Sequence, residues 1–115
     1  MKAVVKPNTA SARKWLKIDE ELTVLLVSVY GSGEIKMLIW SDLQGNAALF
    51  PREDFEIIDP RPSRRWIVNF EKLGMSLSPA SWCVDGFWDA YHEGDAEADR
   101  IFEEEKARVI NETLS

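Results

Sequence analysis

From Leu22 to Asp59 the chain alternates short apolar runs with turn residues: LTVLLVSVY, GSG, EIKMLIW, SDLQGN, AALF, PRED, FEIID. The run at 23–30 predicts the strongest strand. Leu22, Val24, Leu26 and Tyr30 fall on one side of it and Leu25, Val27 and Val29 on the other, with only Thr23 and Ser28 breaking the apolar pattern. A strand with one face in water alternates with polar residues. This one is therefore expected to be covered on both faces. Gly31-Ser32-Gly33 suits a tight reversal, since glycine supplies the positive φ of short hairpins, and 34–40 returns as the partner strand. Residues 42–45 read as a second turn and 47–50 as a third strand. Pro51 opens a single helical turn through Asp54, and 55–58 forms a last short strand before Pro60 and Pro62.

The flanks continue the same punctuation. Residues 2–6 predict a first strand ended by Pro7, 8–13 (NTASAR) a polar loop, and Asp19-Glu20-Glu21 a solvated turn after the apolar Trp15, Leu16 and Ile18. Beyond Arg61-Pro62-Ser63-Arg64-Arg65, the runs 66–70 and 75–77 predict a second hairpin around 71–74. Ser78-Pro79 reads as a helix start, a hydroxyl cap followed by proline, and Gly86 keeps that helix short. A further helix at 87–93 stops at Gly94, and Asp95 caps a final helix from 96 to about 111. On this last helix Ala98, Ile101, Phe102 and Val109 share a face, and Glu105 falls inside the stripe. An unpaired buried carboxylate is costly. Either Glu105 has a buried partner or the helix leaves the core after two turns. Departure is the expectation here, with Glu104 and Arg108 pairing at i, i+4 on the solvated end.

The order strand, hairpin, strand, polar turn, short strand, followed by ALFPREDFEII, resembles SH3-like barrels, which commonly close with an aromatic-proline turn leading into a short apolar strand. The resemblance implies an α+β fold in one domain, an SH3-like small β-barrel over 1–60. A hairpin and acidic C-terminal helices, 61–115, would pack on it. In signalling SH3 domains a proline-rich ligand lies on a groove of aromatics and a proline. Phe50, Pro51 and Phe55 match the end of that groove, while its early tyrosine motif and paired tryptophans are absent. The whole chain also resembles short uncharacterised bacterial proteins that carry this barrel with an aromatic, acidic tail, some of them near toxin or phage genes. That likeness implies an immunity- or antitoxin-type role.

Composition agrees with a globular chain. Of 115 residues, 45% are hydrophobic and 30% charged, the balance of one folded domain and not of a disordered segment. Cys83 is the only cysteine, so no intrachain disulfide forms, which suits a reducing compartment. No apolar leader or membrane-length run is present, and a cytoplasmic protein is expected. The net charge of −6 is unevenly placed: residues 66–115 hold four basic and eleven acidic residues, whereas 1–65 are close to balanced. An acidic half argues against nucleic-acid phosphates there and favours a basic partner or simply solubility.

No motif for phosphate cradling, nucleophilic catalysis or dinucleotide binding occurs. His92 has Asp89 one helical turn before it, but metal sites need three or four converging ligands. Cys83, between Trp82 and Val84, reads as a buried thiol. No cofactor, metal or catalytic residue is expected, and the chain reads as a non-enzymatic binding module. The candidate partner surface interleaves aromatics with acids: Trp82, Asp85, Trp88, Asp89, Tyr91 and Glu93. Some of the cluster Trp82, Phe87, Trp88 and Tyr91 are expected to turn inward over the barrel strand and one or two to stay exposed. The alternative is a nucleic-acid or translation-related barrel acting through Lys14, Lys17, Arg52 and the cluster Arg61, Arg64 and Arg65. More simply, that cluster faces the acidic tail and fixes the two halves together.

Overall fold

The apolar run at 23–30 is divided. In the computed structural model, which describes residues 1–7, 9 and 12–112, this run contributes β2 (Leu22–Thr23) to one sheet and β3 (Leu26–Tyr30) to another. Val24 and Leu25, both fully buried, carry the chain between them. The apolar run continues through Val24 and Leu25, so its alternation does not mark the crossing.

β2 pairs with β1 (Lys2–Val5), and β1 pairs on its other side with β6 (Phe55–Asp59), giving an antiparallel three-stranded sheet. The second sheet has five antiparallel strands in the order β5-β4-β3-β8-β7. Its members are β3, β4 (Ile35–Ser41), β5 (Asn46–Pro51), β7 (Trp66–Glu71) and β8 (Gly74–Pro79). Among the described residues three α-helices accompany the sheets: α1 (Ala12–Trp15), α2 (Phe87–His92) and α3 (Ala96–Glu112). The fold is α+β with eight strands among the described residues, and the strands form two sheets, not one closed barrel. The loop expected at 8–13 is partly replaced by α1, which anchors through buried Ala12; Asn8, Ala10 and Ser11 lie outside the described residues.

The expected double coverage of the central strand is what the structure shows. Val27, Met37, Ile39 and Phe50 face the three-stranded sheet and pack with Ala3, Val5 and Phe55. Leu26 and Leu38, on the opposite face, pack with Trp82, Phe87, Ala98, Phe102 and Val109 of the C-terminal half. Strand residues one apart point to opposite faces, so β3 and β4 supply both cores. Pro51 leads into a 3₁₀ turn at Arg52–Asp54, as its preset φ favours. Gly74 begins β8 directly against β3, and a Cβ there would lie 2.0 Å from the Val29 carbonyl oxygen.

Ser78-Pro79 does not start a helix by capping it. Both are the end of β8, the Ser78 hydroxyl donates to the Pro79 carbonyl, and only a 3₁₀ turn, Ala80–Trp82, follows. At the end of α2 the Asp95 and Gly94 amides donate to the carbonyls of Ala90 and Tyr91, with Gly94 at φ +84°. This double closure requires a left-handed residue. Asp95 then caps α3, its carboxylate accepting from the Ala98 amide at 2.9 Å.

α3 does not leave the core. Its stripe of Ala98, Phe102 and Val109 is buried along its length, and Glu105 within it is only 2% exposed. The partner that makes this tolerable comes from forty residues upstream. Arg65 Nε and Nη2 donate to the two Glu105 oxygens at 2.9 and 3.0 Å, and the Ser81 hydroxyl adds a third bond at 3.0 Å. Burial pushes the Glu105 carboxyl up. The bonds from Arg65 and Ser81, with the charge of Arg65, outweigh that and hold it below its ordinary value. Glu104 pairs with Arg100 at 2.7 Å, not with Arg108.

Because Glu105 titrates lower in the folded chain than in the unfolded one, its contribution is complete above the usual carboxylate range. It is lost as the pH falls through that range to the lowered folded value. Arg65→Ala should cost about 3 kcal/mol by stranding a buried carboxylate, measured by urea unfolding at neutral pH. Glu105→Gln should flatten the fall in stability on acidification below about pH 4.5, the ordinary value for this group.

Candidate functional site

The helix-facing side of the five-stranded sheet is not fully covered. Between it and the segment 82–92 lies a cleft of about 490 Å³. Its floor is built by period-two alternation: Leu26 and Ser28 of β3, Leu38 of β4, Leu49 of β5, Ser76 and Ser78 of β8, and Asn69 and Glu71 of β7. In the ladder Ser28 lies opposite Ser76 and Ser76 opposite Asn69. Residues directly opposite share a face, so the polar part of the floor forms one row. The Ser76 hydroxyl donates to Glu71 at 3.0 Å, which orients that carboxylate.

The wall comes from the turn after β8 and from α2. Trp82, Phe87, Trp88 and Tyr91 line it, and their rings are fixed by one another and by buried Phe102 of α3. Trp82 stacks on Phe102 at 5.0 Å, Trp88 meets Trp82 edge-on at 5.6 Å, and Tyr91 lies 4.6 Å from Phe102 between ring centres. Tilted and edge-to-face contacts at these separations are the favoured ring geometries. The cleft therefore has a rigid aromatic side. Burial, reinforced by Asp99 and Glu103, pushes the Tyr91 phenol up, so it stays a protonated donor at neutral pH.

Among the described residues three carboxylates line the cleft, Glu71, Asp85 and Asp89, and no lysine or arginine does. Asp85 and Asp89 are exposed at its rim. The chemistry on offer is apolar and aromatic contact inside, hydroxyl and amide groups on the floor, and negative charge at the edge. That combination suits a cation carried on an apolar stem.

Of the residues singled out in the sequence, Trp82, Asp85, Trp88, Asp89 and Tyr91 all line this cleft, while Glu93 lies outside it, exposed at the end of α2. Trp82 lies deep rather than at the surface, 1% exposed. Its indole N–H is buried without an acceptor among the described residues. His92 also lines the cleft and stacks on Trp88 at 6.1 Å. Cys83 is half-buried and not enclosed as expected: it ends the 3₁₀ turn at Ala80–Trp82, its thiol 3.5 Å from the Pro79 carbonyl, and lines the open cleft with exposed Val84. Among the described residues no three His, Cys, Asp or Glu side chains converge to hold a metal, and no helix is long and apolar enough to cross a membrane.

The floor is what the sequence reading missed. Its signal was the alternation Met75, Ser76, Leu77, Ser78, a strand with one apolar and one polar face, and the polar Asn69 and Glu71 in step with it. The arginine cluster, by contrast, does not gather into one surface. Arg61 forks onto Asp59 at 2.8 and 3.0 Å and Arg65 onto Glu105, while the Arg64 amide and Ser63 hydroxyl donate to Glu112. Arg61 holds the half-buried Asp59 carboxyl well below its usual range. The simpler expectation for this cluster, attachment of the two halves, is met by Arg65.

No protein-family model, curated protein or solved structure matches the chain. Its chemistry rests on the cleft alone.

Truncating Trp82 to Ala should destabilise the fold by about 4 kcal/mol, the size of other large-to-small core changes. Trp82→Phe should cost far less, because it keeps most of the ring volume and removes a buried donor that has no acceptor. Paired thermal and urea melts of the two variants measure the difference.

Proposed function

We propose that this chain is a non-enzymatic protein-binding module that seizes a basic, partly apolar segment of a partner protein in the cleft beside α2. The reading extends to an immunity- or antitoxin-type protein in the cytoplasm, which neutralises a basic partner, and to an SH3-like ancestry for the two sheets. One observation carries it. The lining combines fixed aromatic rings with Glu71, Asp85 and Asp89 and, among the described residues, holds no lysine or arginine.

A lysine or arginine side chain has the matching form. Its methylene stem lies on apolar surface while its head reaches water or a carboxylate. Over a tryptophan face such a cation gains about 0.5 to 2 kcal/mol, and an arginine adds bidentate bonds to an acid. The cleft volume is that of a small-ligand site, enough for a few side chains of the partner and not for a whole interface. The acidic C-terminal half around it would speed the approach of a basic protein, an effect that weakens with salt. An anion-binding reading through Arg61 and Arg65 has less support, since both guanidinium groups are held by carboxylates.

Short peptides that interleave arginine or lysine with tryptophan or leucine provide the test, with acidic counterparts of the same length as controls. Titration is followed by tryptophan fluorescence, to which Trp82 and Trp88 contribute among the five tryptophans. Basic peptides should bind and acidic ones should not. Charge reversal at Asp85 and Asp89 to Lys should weaken binding at least tenfold, whereas Glu93→Lys, outside the cleft, should leave it within about twofold. Equal binding of basic and acidic peptides refutes the proposal.

A further inference from the structure

Among the described residues β7 is an open edge of the five-stranded sheet, with no strand paired on its outer side. Natural edge strands are shielded by charge, proline, bulges or a covering element. From Trp66 to Phe70 this strand carries no charge, no proline and no register shift. Its side chains are among the most exposed large hydrophobics of the chain: Phe70 at 82%, Val68 at 51%, Ile67 at 46%, and Leu73 in the adjoining turn at 77%.

The register fixes which backbone groups are unpaired. Glu71 lies opposite Gly74 across the two-residue turn Lys72-Leu73. In an antiparallel ladder such residues exchange both hydrogen bonds, and the next pair along exchanges none. Asn69 and Ile67 therefore bond inward to Ser76 and Ser78. The amides and carbonyls of Val68 and Phe70 point out of the sheet. The Trp66 amide, which would be next, is taken by the Ser63 carbonyl at 3.2 Å.

We propose that β7 pairs antiparallel with β7 of a second copy of this chain, about a two-fold axis through Asn69, giving a continuous ten-strand sheet. Val68 of each chain then lies opposite Phe70 of the other, and these two pairs exchange four backbone hydrogen bonds using just the groups left free. On that face the arrangement sets a β-branched residue against an aromatic ring, a favourable cross-strand pairing. The charges fit the same register. Lys72 falls opposite the second copy's Trp66, and Arg65 is diagonal to its Glu71, within reach of long side chains. Directly opposed residues never carry like charge. Displacing the axis by one residue to Val68 would set Phe70 opposite Trp66, so that both Phe70 pairs would depend on the Trp66 amide that Ser63 already occupies, and would place Arg64 directly opposite Lys72. A two-fold contact of this kind is self-complementary and closes on itself, so it yields a dimer and not a fibre. Ile67 of the second copy comes opposite Glu71, and the copy thereby continues the floor of the acidic cleft past its present edge.

Sedimentation of the full chain over a range of concentrations tests the dimer, with amide hydrogen exchange locating it. The expected result is reversible self-association in the micromolar range, with Val68 and Phe70 amides that become protected as dimer forms. Val68→Pro removes an outward donor without touching the bonds to β8, and Phe70→Lys puts a charge on an exposed position outside both cores. Each should weaken association at least tenfold while the far-ultraviolet circular dichroism is unchanged. If Val68→Pro fails to fold, Phe70→Lys decides alone. A chain that stays monomeric at millimolar concentration overturns the proposal. So does a dimer indifferent to Phe70→Lys, or one that protects amides elsewhere and leaves Val68 and Phe70 open.

Discussion

Everything in this fold depends on burying both faces of one strand pair. β3 and β4 are apolar on each side, and no single layer can cover them. The three-stranded sheet takes one face with Ala3, Val5 and Phe55; the aromatic group around Trp82 and Phe102 takes the other. Removal of apolar area from water, at roughly 25 cal/mol per Å², rewards both contacts, and neither half of the chain provides both. The C-terminal half is thus a second wall of the core.

Hydrophobic contact brings that wall up to the sheet but does not set its position along it. The polar contacts do. Arg65 and Ser81 hold Glu105, and the Ser63 hydroxyl and Arg64 amide hold Glu112 seven residues further along α3. These bonds join the segment before β7 to the same face of the helix at two points two turns apart. Buried acid bonding is directional in a way that apolar packing is not, and it fixes the helix in rotation and in register. Lys106 completes the fit on the neighbouring face, its ammonium 3.5 Å from the centre of the Trp40 ring.

Much of the local structure was readable because it rests on neighbouring residues. The glycine and aspartate turns, the Pro51 turn and the Asp95 cap follow from backbone chemistry a few positions long, and the two-sided coverage of β3 follows from its alternation. The unreadable features are those in which local pattern is silent. Nothing between Leu22 and Tyr30 marks where the chain passes from one sheet to the other, because Val24 and Leu25 continue the apolar run. Glu105 was misread for a related reason: its partner lies forty residues away, so the stripe could be judged only against an absent neighbour. The aromatic and acidic wall of the cleft was legible as a cluster in one short segment. Its floor was not, since Ser28, Asn69 and Ser76 become neighbours only through strand pairing.

The double closure at Gly94 and Asp95 joins α2 to α3 with no slack. α2 has six residues and little core of its own, whereas α3, at 17 residues, is about 25 Å long by its rise per residue. The short helix therefore rides on the long one as a blade on a handle. The position of Trp88 over the sheet thus depends on α3, and residues 63–65 grip that helix through Glu105 and Glu112, away from where a ligand would sit.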